Sequence, residues 1–376
     1  MTMTLNGSAA ALLLLTCASP VLADETMIDA PAEQAEPIVV TDVSLYPAAG
    51  LMNEHTHDGG EAMIGLRYAH SRFSGPNRSG TDTVSDADIL AAGYTTRAAR
   101  MEMDMVMLDI MYAPSDKVTL MVMPHWMRHE MTMVGIDPAN TGMGMDHGTG
   151  TGMDMPSGHD HGHGLALGQT MTHTSSGFGD TLASASYRLA NTRSFKAHAT
   201  FGVWIPTGAV ARKNPDGTFL HYGMQGGSGT WDIEPSLTVS GRKASWGWGA
   251  QAAYRWRSES ENKSGFVFGD RFVSNIWTSY AVSRAASLTG RLAYEHEGAI
   301  EGHYNGPHNH ATPADRQQNY GGDTVLAAFG ANIALPLGGA MPVQLGFEGG
   351  VPIYQNLNGI QLPEKWRFSA ALTTTL

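Results

Sequence analysis

The chain has 376 residues, of which 42% are hydrophobic and only 15% charged, with 45 glycines and a formal net charge of -12. This length suits one large barrel or two ordinary domains, and the negative balance argues against nucleic acid as a partner. After the first 25 residues no stretch approaches the ~20 consecutive apolar residues of a membrane helix, so any membrane signal must lie in alternation, as it does in barrels.

Residues 1–23 read as a cleaved secretory signal. Ala9 to Ala18 is apolar apart from Thr16 and Cys17, and Val21-Leu22-Ala23 offers a small-residue cleavage site before Asp24. The segment lacks the usual Lys or Arg near its start. A lipoprotein would need a small residue before the cysteine, where Thr16 stands. Cys17 is the only cysteine, so the mature chain has neither thiol nor disulfide. Residues 24–61 are acidic, Pro-containing and without period, and predict a flexible periplasmic lead-in.

From Ala62 to the last residue short alternating segments recur. They predict strands near 62–71, 99–113, 118–134, 178–190, 195–206, 231–241, 245–257, 270–283, 286–297, 323–336, 341–351 and 366–376. The connections alternate between short (114–117, 191–194, 242–244, 284–285, 337–340) and long (72–98, 135–177, 207–230, 258–269, 298–322, 352–365). That rhythm is the one expected of an antiparallel transmembrane β-barrel with short periplasmic turns and long external loops. Residues 62–376 therefore predict an all-β outer-membrane barrel of about twelve strands, with both termini in the periplasm. The faces agree: Trp246, Trp248, Ala250, Ala252, Tyr254 and Trp256 alternate with Gln251, Arg255 and Arg257. The last segment carries Trp366, Phe368, Ala370, Leu372 and Leu376 on one face, similar to the terminal strand recognised by the barrel-assembly machinery, although Phe is usual where Leu376 stands. Acidic residues such as Asp232 and Glu234 read as solvated charges on the lumen wall.

Fifteen of the 22 methionines lie between Met101 and Met171. Met101, Met103, Met105, Met107 and Met111 share a face with Asp109. Met121, Met123, His125, Met127, His129, Met131 and Met133 share a face on the next strand. The polar members place both faces toward the lumen, since a lipid face has no use for histidine. An in-phase register, for example Met105 beside His125 and Met103 beside Met127, would keep all of them inside. Opposed side chains would then be ~4.5–5.5 Å apart at Cβ, close enough to share a soft cation, because thioethers select Cu(I) and imidazole suits Cu and Zn. The following loop continues with Met143, Met145 and His147, then Met153 and Met155, then His159, His161 and His163, a metal-binding composition. His303, His308 and His310 form a second cluster, and His55 and His57 precede the first strand. Methionine is also a common filler of apolar surface, so the same stripe would serve as a greasy wall for organic solutes. Neither a nucleophile elbow nor HExxH spacing occurs, so the chain reads as a non-enzyme.

Several strings carry a family resemblance. They are Met63 to Tyr68 after His55-Thr-His57, Met111-Tyr-Ala-Pro114, Thr174-Ser-Ser-Gly-Phe-Gly-Asp180, Ile205-Pro-Thr-Gly208, Gly227-Ser-Gly-Thr-Trp-Asp232 and Val351-Pro-Ile-Tyr-Gln355. Over about residues 52–376 the chain resembles the meta-pathway phenol-degradation family of outer-membrane proteins. The resemblance implies an outer-membrane channel. Many members accompany aromatic-compound breakdown, whereas Met/His-rich ones resemble companions of copper-handling systems. The expected role is therefore an outer-membrane channel handling copper or another soft metal, with no required cofactor and copper as ligand or transported ion. The alternatives are a passive channel for hydrophobic or aromatic compounds and a surface metal scavenger with a plugged barrel. The expected partners are outer-membrane lipid, the assembly machinery, and a metal ion or small hydrophobic solute.

Overall fold

The computed structural model describes residues 46–140, 164–335 and 343–376. The predicted signal segment, residues 1–23, and the loop ligands Met143, Met145, His147, Met153, Met155, His159, His161 and His163 lie outside the described residues.

Twelve antiparallel strands form a closed barrel. They are β1 (Ala62–Ser74), β2 (Thr96–Ser115), β3 (Val118–Met123 and His125–Gly135), β4 (Thr170–Phe178 and Thr181–Asn191), β5 (Phe195–Ile205), β6 (Asp232–Lys243), β7 (Trp246–Arg257), β8 (Arg271–Ala281), β9 (Ala286–Glu297), β10 (Gly322–Leu335), β11 (Val343–Gln361) and β12 (Glu364–Thr375). Each pairs with its neighbours in sequence, and β1 closes the ring by pairing with β2 on one side and β12 on the other. Closure removes the free edges that lipid cannot satisfy. None of the described helices is long and apolar enough to cross a membrane.

Alternation sorts the side chains as a barrel in lipid requires. On β1, Ile64, Leu66 and Tyr68 are exposed to the outside, whereas Met63 and Arg67 are buried within. On β7 the exposed face carries Trp246, Trp248, Tyr254 and Trp256, and Gln251 is buried. Trp246 lies against Tyr280 with ring centroids 4.8 Å apart, beside the short turns, so one aromatic girdle marks the periplasmic boundary. On β2 the outward face changes from Tyr112, Ile110, Leu108 and Val106 to Asp104, Glu102 and Arg100. On β3 it changes from Leu120, Val122 and Trp126 to Arg128 and Glu130. Asp104 stands opposite Arg128, and Tyr68 Oη donates to Asp104 at 2.6 Å. These charges mark the upper edge of the apolar band.

Beyond that edge β2, β3 and β4 continue as a tall wall. This is why β4 begins at Thr170 rather than 178 and β11 runs to Gln361 rather than 351. Strand standing in water keeps its ladder without apolar alternation, so sequence patterning reads it as loop. Within the expected long loop over 352–365, β11 continues to Gln361 and pairs with residues 78–80, although its ladder with β12 ends at Gly350–Arg367. The β3 strand is interrupted at Pro124, which has no N–H to give to a ladder. The facing interruption in β4 falls at Gly179-Asp180, where Gly179 N donates to His125 O at 2.9 Å.

The stretch before β1 is not a free lead-in over its described part, 46–61. It enters the barrel and binds the wall. Asn332 Nδ2 donates to Pro47 O at 3.0 Å, Gln251 Nε2 to Met52 O at 2.9 Å, and His198 Nε2 to Asn53 O at 2.9 Å. Arg67 donates to Leu51 O at 2.5 Å and to Ala49 O at 3.3 Å. Leu51, with 1% of its surface exposed, packs on Ala48 and Trp277.

Candidate functional site

The β2–β3 hairpin presents the methionine face predicted from phase. Met107, Met111, Met121, Met123, Met131, Met133, His125 and His129 are buried, while Met101, Met103, Met105 and Met127 are half-buried on the same face. The register differs by two residues from the expected example. Met107 stands opposite His125, Met105 opposite Met127, Met103 opposite His129 and Met101 opposite Met131. The cause is the turn. The pairing Ser115–Val118 leaves a one-residue bulge on β2 before Tyr112–Leu120, and that single residue brings the methionine faces of β2 and β3 into phase. Each histidine thus faces a methionine, and both methionine faces stay inside.

Two apolar clusters follow from this placement. In one, Met63, Met107, Met111, Met121 and Met123 pack with Leu182 and Trp204, and Met52 of the N-terminal stretch joins them. In the other, Met131 and Met133 pack with Ala98, Leu165, Leu220 and Met224 beneath the external loops. Between the clusters lie His125 and His129. His125 Nδ1 is buried without a hydrogen-bond partner, and the buried His129 ring has only a marginal contact, with the Met224 backbone. A Cβ at position 179 would sit 2.1 Å from His125 Nε2, so only a glycine there admits this ring.

Beside the hairpin is a polar girdle, whose Trp204 ring lies 6.1 Å from that of His125. Asp180 accepts from Gly208 N at 3.1 Å, and from Ser228 N and Ser228 Oγ at 2.7 Å each. Asp232 is 0% exposed and accepts from Thr230 Oγ1 at 2.7 Å, from Arg255 at 2.5 and 2.8 Å, and from Arg257 at 2.5 Å. Arg255 also lies 4.1 Å over the Trp204 ring, whose Nε1 donates to Glu234 at 2.9 Å. The expectation of a solvated wall charge is thereby corrected for Asp232, whereas Glu234 is half-buried on the lumen wall. Period-two phase assigns them to the lumen, but not the two arginines that make burial of Asp232 tolerable.

The external loops fold over this girdle. Tyr222 stacks on Tyr304, and Tyr304 on Phe219, with centroids 4.3 Å apart in each case. Phe266, fully buried, meets their edges. Burial pushes the Tyr304 and Tyr320 phenols well above their usual range, so both remain neutral. His308 and His310 are in edge contact at 4.5 Å. Among the described residues no three His, Asp or Glu side chains converge as a metal cage.

A family model described as "Putative MetA-pathway of phenol degradation" matches residues 140–362, more than half of the chain. The chain belongs to this family. The match begins after the β2–β3 hairpin, so the methionine wall is not among its residues. It does include four of the strings singled out in the sequence, and the first three of these meet in space. Asp180 of the first binds Gly208 of the second and Ser228 of the third. A Cβ at Gly227 would sit 2.2 Å from Asp180 Oδ1. These three family strings thus record a knot that ties both ends of the long loop 207–230 to β4 at the barrel rim.

Among solved structures, an outer membrane channel from Pseudomonas putida F1 is 16% identical, with 86% of this chain and 98% of that chain covered and a TM-score of 0.53. A FadL homologue from Pseudomonas aeruginosa is 11% identical, covering 85% and 90%, with a TM-score of 0.37. The toluene transporter TodX from P. putida is 9% identical, covering 89% and 96%, with a TM-score of 0.37. No curated protein matched the chain in sequence. The fold is that of Gram-negative outer-membrane barrels.

Proposed function

We propose that this barrel is an outer-membrane channel whose Met/His wall handles a soft metal ion, Cu(I) foremost. One observation carries the reading. The buried His125 Nδ1 has no partner in the fold, the buried His129 ring meets only the Met224 backbone, and each ring stands opposite a thioether, Met107 or Met103. A buried polar group left unsatisfied costs about 1–3 kcal/mol, which a bound cation would relieve. Thioether with imidazole is a Cu(I) donor set. Conduction also needs binding weak enough to release the ion, and exchangeable thioethers meet that need.

A second reading is passage of hydrophobic or aromatic compounds. The apolar packing of Met63, Met107, Met111, Met121 and Met123 with Leu182 and Trp204 favours it, as does the family description. Replacing Met103, Met105 and Met127 by Leu separates the two. The change keeps apolar volume and removes sulfur. The first reading expects copper flux into proteoliposomes to fall while uptake of a small aromatic solute is unchanged. Unaltered copper flux through a folded triple variant would leave the second.

A further inference from the structure

The N-terminal stretch holds a pair of histidines that the methionine wall does not use. His55 Nε2 and His57 Nε2 point at one another across 3.1 Å, with the rings edge-on at 76°. Their other nitrogens lie on carboxylates: His55 Nδ1 is 3.1 Å from Glu54 Oε1, and His57 Nδ1 is 3.4 Å from Glu61 Oε2. An imidazole whose Nδ1–H is held by a carboxylate has its Nε2 lone pair free. This is the usual state of a metal-bound histidine, the carboxylate fixing tautomer and ring orientation. The 3.1 Å contact is of hydrogen-bond length, one ring donating to the other, and a cation that displaced the shared proton would be held by both nitrogens. Ligand nitrogens at ~2.0–2.1 Å from one ion lie about 2.8–3.4 Å apart, at angles between square and tetrahedral, and the observed spacing falls inside that range.

A separate observation points the same way. Glu54 is buried, and its Oε2 has no hydrogen-bond partner, although Arg67 approaches its Oε1 at 3.3 Å. The cluster therefore keeps an unsatisfied acceptor beside the pair. The frame around it is fixed. His57 N donates to Thr119 Oγ1 at 3.0 Å, and Arg188 donates to His57 O at 2.8 Å, to Thr56 Oγ1 at 3.0 Å and to Asp58 at 2.6 Å. Gly59 N donates to Asp116 at 2.8 Å, on the short turn between β2 and β3, so the pair lies near the periplasmic end of the lumen. His57 is 7% exposed, and the His55 side chain 35%, which leaves one side open to a ligand.

We infer that His55 and His57 form a two-imidazole site for a divalent cation of the Cu(II) or Zn(II) class at the periplasmic mouth, with Glu54 and Glu61 orienting the rings. Two imidazoles suit these ions rather than Ca or Mg. With only two protein nitrogens, the remaining positions fall to water or to a passing ligand, so binding is exchangeable. The site rests on residues outside the methionine wall and stands whichever solute the channel conducts.

The test uses Cu(II) on the full-length folded protein in detergent, in a background carrying His147→Asn, His159→Asn, His161→Asn and His163→Asn to silence the external loop. Titration by electron paramagnetic resonance should show Cu(II) coupled to two imidazole nitrogens. His55→Asn and His57→Asn should each weaken this binding by tenfold or more, and Glu61→Gln by about tenfold, as for orienting partners generally. The half-exposed His55 keeps the test valid even if His57→Asn fails to fold. Met103→Leu with Met105→Leu and Met127→Leu should leave the Cu(II) signal unchanged, which separates this site from the wall. A His55→Asn protein that binds Cu(II) as its parent does, with the same two-nitrogen coupling, would overturn the inference.

Discussion

Arg67→Met should open the barrel. Arg67 is 6% exposed on β1. Its guanidinium contacts Asp109 and Glu54 and donates to the carbonyls of Ala49 and Leu51. Three of these four partners belong to the N-terminal stretch, so one side chain pins that stretch to the wall. Methionine keeps the length and removes the charge. With the stretch in place, Asp109 and Glu54, 1% and 7% exposed, would be left as buried carboxylates with no guanidinium. Removing one partner of a buried pair costs about 3–5 kcal/mol. Withdrawal of the stretch relieves most of it, because Glu54 leaves with it and water reaches Asp109. At 1.4 kcal/mol per tenfold, the plugged state should lose roughly two to three and a half orders of magnitude in relative population. Single-channel recording in planar bilayers reads this directly. The parent should show a small conductance, Arg67→Met a larger and longer-lived one, and Arg67→Lys an intermediate one. If deletion of residues 46–58 raises conductance while Arg67→Met matches the parent, the pinning role is refuted.

Three further outcomes follow from the same geometry. Val122 is outward and 47% exposed, so Val122→Arg should cost ~2–4 kcal/mol in a reversible folding assay in lipid, with Val122→Leu near neutral; equal effects would mean the face is misassigned. Gly179→Ala should displace the His125 ring, because the new Cβ would fall 2.1 Å from Nε2; it should lower Cu(I) affinity while the barrel stays heat-modifiable on gels, and retained affinity would remove His125 from the site. Asp180→Ala should free the loop residues held by Gly208 N and Ser228 N and increase protease cleavage near Gly208 and Gly227, with β-sheet content unchanged by circular dichroism; protection equal to the parent would show that other contacts hold the rim.

The strand count, the alternation of loop lengths and the inward phase of Met101 to Met111 and Met121 to Met133 were legible because lipid forces a strict period of two on every spanning segment. Legibility ended where lipid ended. Residues 170–178 and 352–361 stand in water, keep their ladders with Thr, Ser, Gly and Asn, and lack the pattern. The two-residue register difference in the hairpin has no signature in alternation, because a shift of two keeps every side chain on its face, and the one-residue bulge beside Pro114 lies in the turn, where no apolar pattern runs. Asp232 looked like an ordinary lumenal acid because Arg255 and Arg257, which bury it, belong to the next strand. The role of residues 46–61 was hidden for another reason. An extended stretch bound through its backbone carbonyls shows no periodicity, and its partners Arg67, His198, Gln251 and Asn332 are scattered over four strands. The closest sequence signal was His55-Thr-His57 itself, two imidazoles spaced so that an extended chain puts them on one side.

Thioethers and imidazoles of the β2–β3 wall are proposed to bind a soft cation together. X-ray absorption at the copper edge, on Cu(I)-loaded protein with the Met and His residues of 143–163 replaced, tests it most directly. The account predicts mixed sulfur and nitrogen ligation, with the sulfur contribution lost in the Met103→Leu, Met105→Leu, Met127→Leu variant. Copper bound through nitrogen and oxygen alone, or a sulfur contribution that persists in the triple variant, would contradict it.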